Sequence, residues 1–325
     1  MRLDVGLIGA TGIAERAVVA PSRGMPGVVP VAVAASDPDR ALAFARRNGL
    51  ERAHRDYRAL VDDPAVNAVY VSLHNSAHHR WAAAAARAGK HVLVEKPLCL
   101  SADEADELAE AADATGVHLV EALPAAGHPW QDAVREMVLD GRCGPLHAIT
   151  TRLRFALPAH GGYRLRPELG GGIFLDTACY WLQAVQATVG LADAKGGGRA
   201  VRDVPGGVDV EFAAWLDLPG GVRAELDCRF DERHVAEHEF RFADAVVRVR
   251  GFLRPIAGAL PLNLTVRRAD GGTSVESFAP VAYYDRQLRR FHALVVGEGR
   301  GDELAAAAER VRLMAEIHDN AEEER

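Results

Sequence analysis

Lysine is scarce in this chain: among 38 lysines and arginines, only Lys90, Lys96 and Lys195 are lysine. Lys96 follows the apolar run His91–Val94, stands beside Glu95 and precedes Pro97. An amine at a strand end, next to a carboxylate and close to a bound cation, can donate or accept a proton near neutral pH. Burial and a neighbouring positive charge both lower its pKa into that range. The plainer use of such a lysine is to cap a strand end at the surface, and its rarity here favours the chemical use. A second set begins at Gly170-Gly171-Gly172, which lets backbone approach a ligand, and continues into a helix with Asp176 and Tyr180 four residues apart on one face. A carboxylate and a phenol so arranged can orient an alcohol and relay its proton. The same residues also suit a helix dipole (Asp176) and a core (Tyr180).

Gly9-Ala10-Thr11-Gly12-Ile13-Ala14 lies where a first strand turns into a first helix. A dinucleotide fold needs a tight turn there, close backbone approach to a pyrophosphate, and a small residue for helix–sheet contact. Gly9 and Ala14 fill the first and third places, while Thr11 stands where the second glycine is usual. The next apolar run ends Ala34-Ala35-Ser36-Asp37-Pro38-Asp39-Arg40. Its tip carries no acid for the ribose hydroxyls of NAD, and Ser36 and Arg40 suit a 2′-phosphate, so NADP is favoured over NAD. Asp37 serves either as a helix N-cap before Pro38 or as a ribose contact. His74, His78 and His79 are set aside for the dinucleotide, and His234 and His238 lie in a strand region where i, i+4 residues share a face without converging, so no metal is expected.

These residues need elements to hold them. Leu3–Ile8, Val28–Ala34, Ala68–Leu73, His91–Val94 and Val117–Glu121 read as strands buried on both faces. Between them lie helical stretches at Ile13–Ala20, Pro38–Asn48, His79–Ala88 and Ala102–Thr115. The last opens with the capping box Ser101-Ala102-Asp103-Glu104 and stops at Gly116. Alternation of this kind predicts a parallel sheet with right-handed crossovers. After Glu121 the texture changes. One helix, Trp130–Asp140, precedes strand-like segments Leu146–Leu157, Val208–Leu218, Val222–Phe230, Ala236–Phe242, Ala245–Phe252 and Leu262–Arg268. Glycine-rich turns at 219–221 and 270–272 punctuate these segments. Helices are expected at Phe174–Gly190, Tyr284–Val296 and Asp302–Asn320. The fold class is therefore α/β: a Rossmann domain, residues 1–121, then an α+β domain, residues 122–325, with a large, mostly antiparallel, open-faced sheet.

With 325 residues, 49% of them hydrophobic and 26% charged, the chain has enough core for two domains and is not a disordered one. A net charge of −7 argues against nucleic acid as the main partner. Cys99, Cys143, Cys179 and Cys228 form no CxxC pair and read as free thiols in a reducing compartment. The N-terminus leads directly into a strand, and no run of 18 apolar residues occurs, so a cytoplasmic protein without membrane association is expected. Arg248, Arg250, Arg254, Arg267 and Arg268 read as a solvated or inter-subunit sheet face.

Together the Gly-rich turn, Glu95-Lys96-Pro97, the Gly-Gly-Gly…Asp176…Tyr180 helix and the order of the two domains resemble the Gfo/Idh/MocA family, the glucose–fructose oxidoreductase and inositol dehydrogenase-like enzymes. The resemblance runs over nearly the full length. It implies hydride transfer between NADP or NAD and a carbinol or keto carbon of a sugar, cyclitol or similar polyol. Narrower alternatives within it are a dihydrodiol-type or deoxysugar-pathway reductase. A non-catalytic nucleotide-binding regulator is disfavoured by the presence of Lys96. The resemblance implies Lys96 as the catalytic acid/base, Asp176 as the substrate-orienting group, and Tyr180 where many members have His. It implies cofactor contacts from Gly9, Thr11, Gly12, Ile13, Ser36, Arg40, Leu73, Asn75, His78, Glu95, Lys96 and Arg164. Tyr163 would meet the substrate together with Lys96, Asp176 and Tyr180. In relatives the Lys–Pro peptide is often cis, and subunits pair through the open sheet face, so a homodimer or tetramer is expected.

Overall fold

Short Val-, Leu- and Ala-rich strands with no polar face can be buried only between two helical layers, and the N-terminal strands form such a sheet. β1 (Leu3–Ile8), β2 (Val28–Ala34), β3 (Arg52–His54), β4 (Ala68–Val71), β5 (His91–Glu95) and β6 (Leu119–Ala122) pair in parallel, in the order β3-β2-β1-β4-β5-β6. This is the doubly wound order whose carboxyl edge binds ligands where the strand order reverses, beside β1 and β4. The helices are α1 (Gly12–Ala14, a π-helical Glu15–Val19, and Ala20–Ser22), α2 (Pro38–Asn48), α3 (Tyr57–Val61), α4 (His78–Arg87) and α5 (Ala102–Thr115). β3 and α3 are absent from the sequence reading; at three and five residues they are too short to show a period. The π-helical middle of α1 was likewise not foreseen.

The computed structural model describes residues 1–157, 162–253, 260–299 and 301–323. It divides into Met1–Pro124 with Tyr284–Val311, and Ala125–Tyr283 with Arg312–Arg325. The division read from sequence put all of 122–325 in one domain; instead, residues 284–311 pack with the Rossmann unit. Ala307, Ala308 and Val311 explain this, since they are buried in the same cluster as Ile8, Leu60, Val69 and Leu108. They belong to α9 (Glu303–Asp319), which follows α8 (Tyr283–Val295).

In the other unit, α6 (Pro129–Asp140) and α7 (Ile173–Thr188) accompany β7 (Leu146–Phe155), β8 (Lys195–Arg202), β9 (Asp209–Leu218), β10 (Val222–Phe230), β11 (Val235–Phe242), β12 (Ala245–Arg250), β13 (Leu262–Arg268), β14 (Thr273–Phe278) and β15 (Glu322–Glu323). The nine strands run β14-β13-β12-β11-β7-β10-β9-β8-β15. Pairing is antiparallel except for β7 with β10 and β8 with β15. Residues of β10 alternate between buried Ala224, Leu226 and Cys228 and exposed Arg223, Glu225 and Asp227, so one face is core and the other polar. β8 went unread because Gly196-Gly197-Gly198 has no strand propensity. A Cβ on Gly197 would lie 2.5 Å from the Trp215 ring, and one on Gly198 2.4 Å from the Phe212 ring. The aromatics of β9 occupy the space that side chains on β8 would need. All four cysteines are buried and none is in a disulfide. No helix among the described residues is long and apolar enough to cross a membrane. Of the arginines assigned to the sheet face, Arg254 lies outside the described residues.

β1 stops at Gly9, which has φ +114° and whose added Cβ would sit 2.5 Å from the Ser72 carbonyl oxygen. A Cβ on Gly12 meets no atom within 4 Å. Gly9→Ala should therefore cost about 2–4 kcal/mol, from backbone strain plus overpacking. Gly12→Ala should leave stability within about 0.5 kcal/mol. Urea denaturation of both variants measures the contrast, and equal losses would contradict it.

Candidate active site

At the carboxyl edge of the parallel sheet, Thr11 caps α1, its Oγ1 accepting from the Ala14 amide at 3.1 Å. The same hydroxyl lies 2.8 Å from Ser72 Oγ, tying the turn after β1 to the end of β4. Thr11 thus replaces a glycine without closing the turn, and Gly12 and Ile13 begin the helix with space in front of Gly12. That cradle fits a pyrophosphate on a helix N-terminus. Asp37 is the N-cap of α2, Oδ1 accepting from the Asp39 amide at 2.9 Å. Ser36, just beyond the tip of β2, and Arg40, in the first turn of α2, are exposed. Ser36 is hydrogen-bonded to Tyr57, whose phenol pKa is raised by burial. The Tyr57 ring meets Trp81 edge-on at 5.0 Å.

The turn holding Lys96 is fixed from three directions. The Lys96–Pro97 peptide is cis. His78, fully buried, has Nδ1 2.8 Å from the Pro97 carbonyl and Nε2 3.2 Å from that of Leu73. Both ring nitrogens therefore face main-chain oxygens, and His78 joins the loops after β4 and β5. Tyr70, also fully buried, donates to Glu95 Oε1 at 2.5 Å. Burial raises the Glu95 carboxyl above its ordinary range despite the Tyr70 bond and nearby Lys96. Tyr284 of α8 is felt by the same group, and burial pushes its phenol up to about 12. Glu121 Oε1 accepts from the Leu98 amide at 3.0 Å, and its Oε2 accepts from Arg310 Nη2 at 2.6 Å. Asn75 is buried in the 3-10 turn Asn75–Ala77, between Leu73 and His78.

The second unit brings four expected residues together. Arg164 Nε donates to Asp176 Oδ2 at 2.7 Å while its guanidinium covers the Tyr163 ring at 4.7 Å. Asp176, one turn into α7, is buried. Its charge, and more weakly that of Tyr180, holds the Arg164 pKa above its ordinary value against the effect of burial. Tyr180 is half-buried, its ring 6.5 Å from Phe252. Glycine is required at 171, where a Cβ would lie 2.7–2.8 Å from the carbonyls of Tyr163, Arg164 and Arg166. No side chain of the N-cap Gly172 can cap α7. Asp209 of β9 does so instead, Oδ2 accepting from the Phe174 amide at 2.7 Å.

Sequence reasoning missed Ser72, Tyr70, Tyr284, Asp209 and Arg310, and gave Glu121 no role. Only Glu121 carried a local signal, an acid ending an apolar strand.

A Gly-rich turn at the switch point of a parallel sheet, with an anchored lysine two strands away, defines a dinucleotide-binding oxidoreductase class. Residues 3–122 match the model described as oxidoreductase family, NAD-binding Rossmann fold, and residues 132–243 match the GFO/IDH/MocA C-terminal domain. The chain belongs to the Gfo/Idh/MocA family of oxidoreductases. It is 30% identical to a D-xylose 1-dehydrogenase (NADP(+)) of Haloferax volcanii, over 98% of this chain and 97% of that protein. A dTDP-3,4-didehydro-2,6-dideoxy-alpha-D-glucose 3-reductase of Streptomyces antibioticus is 31% identical, over 92% and 90%. The crystal structure of KijD10, a 3-ketoreductase from Actinomadura kijaniata in complex with NADP and TDP-benzene, superposes with a TM-score of 0.93 at 26% identity, covering 99% of each chain.

Two buried histidines make stability pH-dependent. Burial lowers His78 to about 4 and His238, stacked on Phe252 at 4.1 Å, to about 3. Each folded pKa lies below the unfolded 6.5, so stability is complete above pH 6.5 and falls as the pH drops toward 4. The slope is about 1.4 kcal/mol per pH unit for each ring. His318 has the opposite sign: its pKa is raised by Asp209, so its contribution is lost as the pH rises. Between pH 6.5 and 5, His238→Phe should flatten the decline by about 2 kcal/mol in urea denaturation. An unchanged slope would mean that His238 titrates in the fold as it does in the unfolded chain.

Proposed function

We propose that the chain moves a hydride between C4 of NADP and a carbinol or keto carbon of a sugar, cyclitol or related polyol. The carrying observation is the turn around Lys96, held at the carboxyl edge of β5 by His78, Tyr70 and Glu121. When bound, the nicotinamide supplies or accepts the hydride. Lys96 takes the hydroxyl proton as a carbinol is oxidised and returns one as a ketone is reduced. Glu95, next to it and tied to Tyr70, keeps a carboxyl close to the amine. Tyr180 shares the proton, Asp176 orients the substrate hydroxyl, and Arg164 fixes Asp176 while Tyr163 shapes the substrate side. The Gly9–Ile13 cradle, Leu73 and Asn75 border the cofactor, and His78 acts by holding their loop. Ser36 and Arg40 meet the 2′-phosphate, and the NADP named for the xylose dehydrogenase and KijD10 supports the same choice.

A nucleotide-linked keto-sugar is the second reading, favoured by the likeness to the dTDP-sugar 3-reductase. The open sheet face is proposed as the subunit contact, and the four buried thiols fit a cytoplasmic setting. Glu237 with Arg250, and Glu239 with Arg241 and Arg248, give that face charges of both signs, as a self-complementary patch requires.

Oxidation of D-xylose, reduction of 1,5-anhydro-D-fructose and reduction of a dTDP-linked 3-keto sugar, each with NADP and NAD, separate these readings. Lys96→Met should lower kcat about 10²–10⁴-fold with nucleotide affinity within a few-fold. Near-normal turnover would remove Lys96 from the mechanism. Because Ala35 is buried, a carboxylate at the tip is best placed at exposed Ser36. Ser36→Asp should cut kcat/KM with NADPH at least about tenfold more than with NADH, through like-charge repulsion of the 2′-phosphate. Equal losses would rule out Ser36 as the discriminating contact.

A further inference from the structure

Tyr70 lies within β4 with no exposed surface, a place where a phenol needs a partner for its hydroxyl. Strand register supplies one. Tyr70 pairs with Leu93 of β5, so the two side chains leave the sheet on one face, and Glu95, two residues on, leaves it on the same face. The phenol donates to Glu95 Oε1 at 2.5 Å. Glu95 is followed directly by Lys96, and the Lys96 charge favours the ionised carboxyl, against burial and the charge of Glu121 on β6. His78 of α4 and Tyr284 of α8 also lie within electrostatic reach of Lys96, and Arg16 of α1 acts on both phenols. At neutral pH His78 and Tyr284 are uncharged, with pKa values of about 4 and about 12. Of the three neighbours of Lys96, Glu95 is the one that can carry the opposite charge.

We propose that Tyr70 is a positioning residue for the reaction: through Glu95 it holds a negative charge beside Lys96, and so sets the pH range over which that amine takes up and gives back its proton. Burial and the Glu95 charge keep the Tyr70 phenol protonated, and as a donor it favours the ionised carboxyl. A hydrogen bond to a charged acceptor moves the acceptor's titration by about one to two pH units. An opposite charge close by raises a lysine by about 1–3 units. Without the hydroxyl, burial and Glu121 leave Glu95 neutral up to a higher pH, and Lys96 then loses its proton at a lower one. A phenol bonded only to pack the core would leave the Lys96 titration where it is. The inference rests on the proton-carrying role proposed for Lys96.

The titration of Lys96 can be read directly. Trace acetylation of the full-length protein with acetic anhydride over a range of pH, quantified by mass spectrometry of the lysine peptides, needs no substrate. Exposed Lys195 is the internal control. Tyr70→Phe should lower the Lys96 midpoint by at least about 0.5 pH unit and Glu95→Gln by at least about 1 unit, with Lys195 unmoved. Adding Tyr70→Phe to Glu95→Gln should move it no further, because the phenol acts through the carboxyl. With whichever of the three sugars is turned over, the limb of the kcat/KM profile that belongs to Lys96 should move to lower pH by the same amount in each variant. Glu95→Gln keeps an acceptor for the phenol, so it reports even if Tyr70→Phe does not fold. An unmoved Lys96 midpoint in either folded variant, or shifts that add in the double variant, would overturn the proposal. Moved midpoints with unmoved kinetic limbs would instead defeat the proton-carrying role of Lys96 while bearing out its link to Tyr70.

Discussion

Glu121 is the charge on which the Rossmann unit's carboxyl edge depends. A carboxylate removed from water needs hydrogen bonds on both oxygens to offset its lost hydration. Glu121 meets that demand with one main-chain amide and one guanidinium, and each partner belongs to a different part of the chain. The Leu98 amide fixes the exit of the turn that carries Lys96. Arg310 fixes α9 onto the same unit, where Ala307, Ala308 and Val311 complete the apolar cluster. Removing Arg310 leaves the buried Glu121 charge uncompensated, a cost of about 3–5 kcal/mol.

The second unit uses the same device at Asp209, with a helix N-terminus in place of an isolated turn. Gly172 has no side chain to cap α7, and its φ of +113° excludes most residues that could. A cap from β9 then satisfies the Phe174 amide and ties α7 to the sheet beneath it. Phe174 stacks on Phe212 of β9 at 4.1 Å, so polar and apolar contacts fix the same turn. The Arg164–Asp176 pair sits above this anchored turn, and Gly171 lets the backbone of Tyr163–Arg166 pass close enough to deliver Arg164.

Scarcity alone does not mark a residue as chemical. Lys90, as rare a residue type as Lys96, spends its ammonium on the carbonyls of Asp63 and Val66, at 2.8 and 2.5 Å. Lys195 is an exposed residue at the start of β8. What sets Lys96 apart is its place at the carboxyl edge beside Glu95, in a turn held by three buried side chains.

The alternation of apolar strands with capped helices determined the doubly wound sheet from sequence, because period and capping are local properties read within about ten residues. The turn at Gly9, the Asp37 and Ser101 caps, and the i, i+4 placement of Asp176 and Tyr180 were legible for the same reason. The partners of those residues were not. Ser72 lies 61 positions from Thr11, Arg310 189 from Glu121, and Asp209 35 from Phe174. No local pattern encodes such pairings, since a buried polar residue finds its partner only when remote elements pack. The same limit hid β8, whose glycines look unsuited to a strand until the rings of Trp215 and Phe212 are seen to cover them. It also hid the allegiance of residues 284–311, which a linear reading assigns by position but which the structure assigns by the core they bury.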